Sequence, residues 1–214
     1  MDGNDRDLAA PEILSKLEDI ADEVRISAKT IVFRQGELAQ FIYFVQWGAL
    51  RMDHHLEDGR NLVLDFSWKG EFFGLAEERF YSRSAITLVD TGLKRMRRDS
   101  LRKLSRTYPA ITDLLMAQKN AFLVAAKTHM ILLACPRAIE KVIGFLVACT
   151  GRLDCYDSVT RTLTLVMSRK DIADYLGMSI ETTSRIFRRL EMSGYIKRID
   201  SRNIRLGDKI MTYL

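Results

Sequence analysis

The sequence predicts an α+β protein with an N-terminal helix, a roll of short β-strands, a long helix and a C-terminal winged helix-turn-helix. Three observations predict this architecture. Glycines typical of turns recur every 11 or 12 residues in the first half, and a stretch without glycine or proline follows Pro109. Near the C-terminus, two short helical patterns flank a glycine. The even strand spacing favours a roll over alternating β–α units. We therefore divide the chain into residues 1–108, 109–134 and 135–214.

The N-terminal part combines one helix with the strands of the predicted roll. In PEILSKLEDIADEV, apolar residues recur at helical spacing, and Pro11 suits the first turn of a helix. From Val24 to about Met96 the chain instead shows short runs rich in Val, Ile, Phe and Tyr, such as FIYFVQWGALRM and NLVLDFSW. The turn glycines between these runs are Gly36, Gly48, Gly59 and Gly70.

The segment AITDLLMAQKNAFLVAAKTHMILLAC carries two apolar stripes at helical spacing, which predict two buried faces. One face would pack on the roll and the other on a partner helix, as in a coiled coil. A helix buried wholly inside one domain is the alternative. We assign dimerisation to the first stripe, at Ile111, Leu115, Phe122, Ala125 and Leu132, and expect its His129 to be a packed side chain. The second stripe comprises Leu114, Ala117, Ala121, Val124, Thr128 and Ile131.

The segment SRKDIADYLGMSIETTSRIFRRLE predicts the helix-turn-helix. Ser168 followed by Asp171 is typical of a helix start, and Ser179 suits the cap of a second helix. Gly177 permits the tight corner between the helices, and the small Ala173 lets them cross closely. The second helix then has an apolar face with one nearly isosteric polar replacement: Thr183, Ile186, Phe187 and Leu190.

The opposite face of the second helix carries an acid, a hydroxyl and arginines. Arginine can bond O6 and N7 of guanine together, glutamate can accept from N4 of cytosine, and serine can approach thymine. We therefore predict that Glu181, Ser184 and Arg185 contact DNA bases. The alternative is an ordinary surface helix with charge pairs four residues apart, such as Glu181 with Arg185.

Basic charge is concentrated around this helix and the two-stranded wing predicted from SGYIKRIDSRNIRL. Of the 33 Lys and Arg residues, 14 lie in residues 135–214, and 9 of the 28 Asp and Glu residues lie there. This segment therefore carries the whole net charge of +5. A solvated basic surface is one reading, but such localised charge also favours a polyanion, here double-stranded DNA. The candidate phosphate contacts are Arg169, Ser179, Thr182, Arg188, Lys197 and Arg202.

Several other classes of protein are disfavoured. No apolar run reaches the length of about 18 residues that spans a membrane, and MDGNDRDLAAPEI is not a secretion signal. Cys135, Cys149 and Cys155 form no C-x-x-C pair and no disulfide framework, so we expect a cytoplasmic protein without metal or cofactor. Because the sequence has no Ser-His-Asp set, P-loop, H-E-x-x-H or dinucleotide fingerprint, we expect no enzyme.

The motif SRKDIADYLGMSIETTSR, with its E-x-x-S-R core, resembles the Crp/Fnr family of bacterial transcription regulators and, more closely, the Fnr/FixK branch. The resemblance covers nearly the whole chain. It implies a roll of the cyclic-nucleotide-binding type, a homodimer formed by the long helix, and a palindromic operator with TTGA-type half-sites. An activator of this family would also touch RNA polymerase, for which HHLEDGRN and DCYDSVTRT are candidate surfaces.

The effector cassette departs from that of nucleotide-binding members. Gly74, Arg83 and Ser84 match it, but Leu75 replaces the glutamate that bonds the ribose hydroxyl, and the Thr-Ser pair of the long helix is absent. An unpaired hydroxyl would cost about 1–3 kcal/mol. The resemblance therefore implies a vestigial pocket and action without cyclic AMP. No cysteine precedes Cys135, so we expect no Fnr-type iron–sulfur cluster. Control by an unidentified small-molecule or redox effector in the roll is the alternative.

Overall fold

The computed structural model describes residues 11–75, 79–152 and 155–213. The helices in these ranges are α1 (Pro11–Glu18), α2 (Arg98–Thr107), α3 (Pro109–Ala134), α4 (Ala138–Thr150), α5 (Arg169–Leu176), α6 (Ile180–Met192) and α7 (Asp208–Met211). The strands are β1 (Ala21–Ile26), β2 (Ile31–Phe33), β3 (Phe41–Trp47), β4 (Ala49–His55), β5 (Asn61–Trp68), β6 (Phe72–Phe73), β7 (Ser84–Thr87), β8 (Thr91–Arg97), β9 (Tyr156–Asp157), β10 (Thr162–Thr164), β11 (Ile196–Arg198) and β12 (Asn203–Leu206). No helix in these ranges has the length and apolar character needed to cross a membrane.

The chain divides into two compact units, and one boundary between them falls inside α3. The first unit contains the chain up to Met52 and Phe66–Ala125, and the second contains Asp53–Asp65 and the chain from Ala126 onward. Helix α3 has the bounds of the segment predicted at residues 109–134. The division into three domains at 108 and 134 stays a prediction.

The predicted roll consists of two four-stranded sheets. Their strand orders are β1-β8-β3-β6 and β2-β7-β4-β5. In the first sheet, β8 pairs antiparallel with both β1 and β3. The four predicted turn glycines, Gly36, Gly48, Gly59 and Gly70, have φ angles between 83° and 90°. That region of backbone space favours glycine, so these residues occupy turns as predicted.

Two apolar clusters stabilise the first unit. Inside the roll, Val45, Leu50 and Leu93 are fully buried, and aromatic residues such as Phe33 pack against them. The second cluster joins the helices to the sheet that contains β3 and β8: Ile13, Leu17, Ile42, Met96, Leu101 and Ile111. Because Ile111 lies in the first turn of α3, the second cluster fixes the point at which α3 begins.

The second unit contains the predicted winged helix-turn-helix. Helix α6 packs with both α4 and α5, and a four-stranded sheet follows the order β11-β12-β10-β9. The wing is the antiparallel pair β11 and β12, in which Ile196 pairs with Leu206. The fully buried residues of its core include Val142, Leu146 and Leu163. The predicted α+β architecture is therefore confirmed in both units.

Candidate nucleic-acid interface

A serine directly before each of the two helices of the helix-turn-helix caps the N-terminus of that helix. Ser168 Oγ accepts a hydrogen bond from Asp171 N–H at 3.1 Å, and the Asp171 carboxylate accepts one from Ser168 N–H at 2.8 Å. This reciprocal pair is the predicted capping box. Ser179 Oγ accepts from Thr182 N–H at 3.1 Å. A predicted phosphate contact, Ser179, therefore also serves as the cap of α6.

The corner between α5 and α6 depends on Gly177 and Ala173. Gly177 has φ 62° and ψ 42°, a left-handed conformation that costs other residues about 1–2 kcal/mol. The Ala173 carbonyl accepts hydrogen bonds from the N–H groups of Gly177 and Met178. These bonds satisfy a carbonyl at the end of α5. Ala173 itself is fully buried, so its small side chain lies where the helices cross.

Helix α6 has a buried face and an exposed face. The buried residues are Thr183, Phe187 and Leu190, whereas Ile186, predicted to be buried with them, is partly exposed. The exposed residues on the other face are Glu181, Ser184, Arg185, Arg188 and Arg189. The three predicted base contacts therefore share one accessible surface. Sequence reasoning missed Arg189, although its position four residues after Arg185 was a signal that could have identified it.

Thr182 joins the start of α6 to Arg185. Its Oγ1 accepts hydrogen bonds from Arg185 Nη2 at 3.3 Å and from Ser179 Oγ at 3.1 Å. The pKa of the Glu181 carboxyl is lowered first by a hydrogen bond from its own backbone N–H, then by the Ser179 hydroxyl, and least by the charge on Arg185. Thr182 therefore orients Arg185 more directly than Glu181 does.

The predicted phosphate contacts differ in their exposure. Arg188, Lys197 and Arg202 are exposed. Arg169 is partly buried, because its Cζ lies 3.7 Å from the centroid of the Phe187 ring. Burial, and to a smaller extent the charge of a neighbouring arginine, lowers the pKa of Arg169. A guanidinium that stacks by its face keeps its N–H edges for hydrogen bonds, so the stack is compatible with a phosphate contact.

Asp200 shapes the turn of the wing. Its carboxylate accepts hydrogen bonds from the backbone N–H groups of Arg202 and Asn203, each at 2.8 Å. On the next strand, exposed Arg205 lies between buried Ile204 and Leu206. Sequence reasoning missed Arg205, although the alternation of apolar and basic residues was a signal for it.

The described residues of the predicted effector pocket are engaged within the chain. The Gly74 carbonyl accepts a hydrogen bond from Arg98 Nη2. Ser84 is buried, and its Oγ accepts from Gln35 N–H at 2.9 Å. Leu75 packs on the apolar cluster that joins α1, α2 and α3. The Gly74 carbonyl, the Ser84 hydroxyl and the Leu75 side chain therefore each have a structural role within the chain.

The remaining pocket residue, Arg83, contacts the long helix. Its Cζ lies 4.6 Å from the centroid of the Phe122 ring on α3, within the range of a cation–π contact. Residues 76–78, which belong to the cassette region EFFGLAEERFYSRSAITL, lie outside the described residues. Arg83 therefore joins the roll to α3 within the first unit.

The first apolar stripe of α3 is largely covered by its own chain. Ile111 and Leu132 are 0% and 7% exposed, and Leu115 and Ala125 are partly buried. Phe122 contacts Arg83 but still exposes 39% of its surface, so the stripe is covered at its two ends and more open in its middle. Ile111 and Leu132 are covered in this chain and offer almost no surface to a partner. The assignment of this stripe to dimerisation stays a prediction.

The second stripe of α3 is the exposed one. After Leu114, which is partly buried, its members are all exposed: Ala117, Ala121, Val124, Thr128 and Ile131. Val124 and Ile131 expose 63% and 67% of their surface. Large apolar side chains with this exposure are unusual on a helix that has no partner.

The cysteines lie in the second unit. Cys149 and Cys155 are buried free thiols, and Cys135 is partly buried. Burial, and then the proximity of Cys155, raises the pKa of Cys149. Since the thiolate is the reactive form, Cys149 is a poor nucleophile at neutral pH. Within residues 11–75, 79–152 and 155–213, no group of three or more His, Cys, Asp or Glu side chains is placed to hold a metal ion.

Comparisons with known proteins agree with this geometry. Residues 23–108 match the family model of a cyclic nucleotide-binding domain, and residues 140–209 match that of a Crp-like helix-turn-helix domain. The transcriptional activatory protein AadR of Rhodopseudomonas palustris is 34% identical over 82% of this chain and 74% of its own length. The nitrogen fixation regulation protein FixK of Bradyrhizobium diazoefficiens is 31% identical over 86% of this chain and 77% of its own length.

The structure of FixK2 from Bradyrhizobium japonicum superposes on this chain with a TM-score of 0.82 and 31% identity. The match covers 90% of this chain and 96% of FixK2. These relatives are regulatory proteins and not enzymes, as expected for this chain.

Replacing Thr183 by valine should stabilise the protein. The Thr183 hydroxyl is fully buried and has no hydrogen-bond partner among the described residues, a situation that costs about 1–3 kcal/mol. We expect Thr183→Val to raise the free energy of unfolding by about 1 kcal/mol in urea titrations. The matched control is Thr182→Val, which removes a hydroxyl bonded to Arg185 and Ser179 and should not stabilise. A loss of stability in Thr183→Val would show that its hydroxyl has a partner after all.

Proposed function

Because the chain belongs to the Crp/Fnr family of transcription regulators, we propose that it binds a palindromic operator as a homodimer, with α6 in the major groove of each TTGA-type half-site. This proposal rests on the arrangement of α6, which has one buried face and one exposed face. Phe187 and Leu190 anchor the helix, while Glu181, Ser184 and Arg185 project from it together. The protein would act in the cytoplasm, where bacterial DNA lies.

The chemistry of the exposed face matches the edges of base pairs. Arg185 donates one hydrogen bond to Thr182, and a guanidinium has further N–H donors for O6 and N7 of a guanine. Glu181 is a carboxylate at neutral pH, and the shift of its pKa is downward, so it can accept a hydrogen bond from N4 of a cytosine. Ser184 is the candidate for contact with thymine.

Basic residues around α6 would hold the DNA backbone. We propose that Arg169, Arg188, Lys197 and Arg202 contact phosphates, together with the hydroxyl-bearing residues Ser179 and Thr182 at the start of α6. Such contacts set the position of a protein on the duplex and make binding sensitive to salt. They do not distinguish one base from another, which separates them from the contacts proposed for Arg185.

We propose that the homodimer forms through the exposed stripe of α3. Ala117, Ala121, Val124, Thr128 and Ile131 are spaced by alternating steps of four and three residues, the spacing of a coiled-coil seam. Small residues at its N-terminal end would let two helices approach closely. A two-fold axis along this seam would relate two copies of α6, as a palindromic operator requires.

Regulation would not involve cyclic AMP. Leu75 cannot accept a hydrogen bond from a ribose hydroxyl, and Gly74, Arg83 and Ser84 already have partners within the chain. The second candidate is control by a small-molecule or redox effector in the roll. If the protein activates transcription, RNA polymerase is a further partner, and Val159, 91% exposed in the β9–β10 turn, lies on one candidate surface.

Substitution of Arg185 should change base preference, whereas substitution of Lys197 should not. Arg185→Ala should cost about 1–3 kcal/mol of binding free energy and relax discrimination at the guanine of the half-site. Lys197→Ala should weaken all sequences about equally and reduce the salt slope by about 1. The measurement is fluorescence anisotropy on single-base variants of an operator with two TTGA-type half-sites, at several salt concentrations.

Glu181→Ala completes this set and should broaden specificity more than it lowers affinity. An acid in a groove lined by phosphates is repelled unless a base donor compensates it. If Lys197→Ala alters base preference while Arg185→Ala leaves it unchanged, α6 is not the helix that contacts the bases.

A charge on the exposed stripe of α3 should separate the two copies. Ile131→Glu would place two unpaired carboxylates in an apolar interface, which costs about 3–5 kcal/mol or more when such charges are uncompensated. We expect monomers by multi-angle light scattering at micromolar concentration and loss of operator binding. Thr112→Glu, on an exposed position outside the stripe, is the control and should remain dimeric. A dimeric Ile131→Glu with full DNA binding would place the interface elsewhere.

A further inference from the structure

His129 on α3 stacks on Tyr175 near the end of α5. The ring centroids are 3.7 Å apart and the ring planes differ by 5°. The His129 Nε2 atom also lies 2.6 Å from the backbone carbonyl oxygen of Tyr175. Because a carbonyl oxygen only accepts, Nε2 carries the hydrogen and donates it. The His129 side chain therefore contacts α5 in two ways within the second unit. Its ring face stacks on the Tyr175 ring, and its Nε2 edge donates a hydrogen bond to the Tyr175 carbonyl.

Neighbouring residues restrict the same three helices. Phe145 of α4 contacts the Tyr175 ring, with centroids 5.7 Å apart. A Cβ atom at Gly144 would lie 2.3 Å from Leu132 Cδ2, so α4 packs closely on the last turns of α3 and a larger residue at 144 would require the Leu132 side chain to move. At the corner after α5, a Cβ atom on Gly177 would lie 3.6 Å from Leu133 Cδ2, which is ordinary contact.

The hydrogen bond from His129 reaches a carbonyl that α5 cannot satisfy by itself. The last four carbonyls of a helix lack partners within the helix, and Tyr175 is the penultimate residue of α5. Gly177 and α6 follow directly. A shift of this end of α5 against α3 would therefore change the direction in which α6 projects.

We propose that His129 is a positioning residue that holds α5, and through it α6, at one orientation to the last turns of α3. This inference rests on the proposed function, in which two copies of α6 meet two half-sites. In such a dimer the orientation of α6 to α3 sets the half-site separation that the protein accepts. Since successive base pairs are about 3.4 Å apart, a small rotation of α6 would move it by one base pair.

The test measures how binding depends on the spacing of the half-sites. Operators carry two TTGA-type half-sites at the preferred spacing, or with one base pair removed or added between them. The wild-type protein should prefer one spacing by at least about tenfold, a difference of ~1.4 kcal/mol. His129→Ala should reduce that preference to about threefold or less, while discrimination at the half-site guanine stays as in the wild type.

Two conservative variants separate the contacts. His129→Phe keeps a ring for stacking without the donor, and His129→Gln keeps a donor without the ring, so each should give an intermediate spacing preference. Thr112→Ala, at an exposed position of α3 outside the stripe proposed for dimerisation, is the control and should behave as the wild type. Circular dichroism reports whether each variant is folded. If His129→Ala does not fold, His129→Phe and His129→Gln provide the test.

The outcomes distinguish this inference from the proposed function. If the folded His129 variants show the wild-type spacing preference, His129 does not position α6 and the inference is overturned. If a variant loses guanine discrimination together with spacing preference, the role of His129 is general stability and the inference is also overturned. If the wild-type protein binds none of the operators with sequence preference, the proposed function itself fails.

Discussion

Burial of the Phe187 side chain determines where the candidate DNA-contacting surface lies. Phe187 is 2% exposed, and it shares the buried face of α6 with Thr183 and Leu190. Because an α-helix repeats every 3.6 residues, burying this face fixes the rotation of α6 about its axis. Ser184 and Arg185 must then project outward. The Phe187 ring also carries the guanidinium of Arg169 on its face, so one aromatic side chain places both a proposed base-contacting surface and a proposed phosphate contact.

The polar residues at the start of α6 stabilise the helix and also orient side chains on its exposed face. Ser179 caps the helix, and Thr182 accepts a hydrogen bond from Arg185. These bonds limit the conformations of Arg185 before any DNA is present, which reduces the entropy lost on binding. The carboxylate of Glu181 lies in the first turn of α6, where the helix dipole favours negative charge. The acid is therefore stabilised in a place where phosphates of bound DNA would otherwise make it unfavourable.

Local sequence signals were sufficient for the helix-turn-helix and insufficient for the long helix. The capping serines, Gly177 and the apolar face of α6 depend on residues only a few positions apart, and the structure confirms all of these except the full burial of Ile186. Helix α3 has two stripes of the same period and similar composition, so the sequence could not show which one faces its own chain. That choice depends on residues far away in the sequence, since Ile111 packs with Ile13, Phe122 with Arg83 and His129 with Tyr175. The stacking of Arg169 on Phe187 was unpredictable for the same reason, whereas the turn glycines of the roll were predictable because positive φ angles select glycine locally.

We propose that α6 contacts bases in the major groove. Methylation interference on an operator with two TTGA-type half-sites tests this contact directly. A methyl group on guanine N7 blocks the major groove, whereas one on adenine N3 blocks the minor groove. If α6 contacts the bases, methylation of the guanine in each half-site should weaken binding by about tenfold or more, in line with the loss of one bidentate contact, and adenine methylation should have little effect. The sensitive half-sites should be centred about 10 base pairs apart, one turn of the DNA. Binding that is blocked by adenine N3 methylation and indifferent to guanine N7 methylation would show that α6 does not contact bases in the major groove.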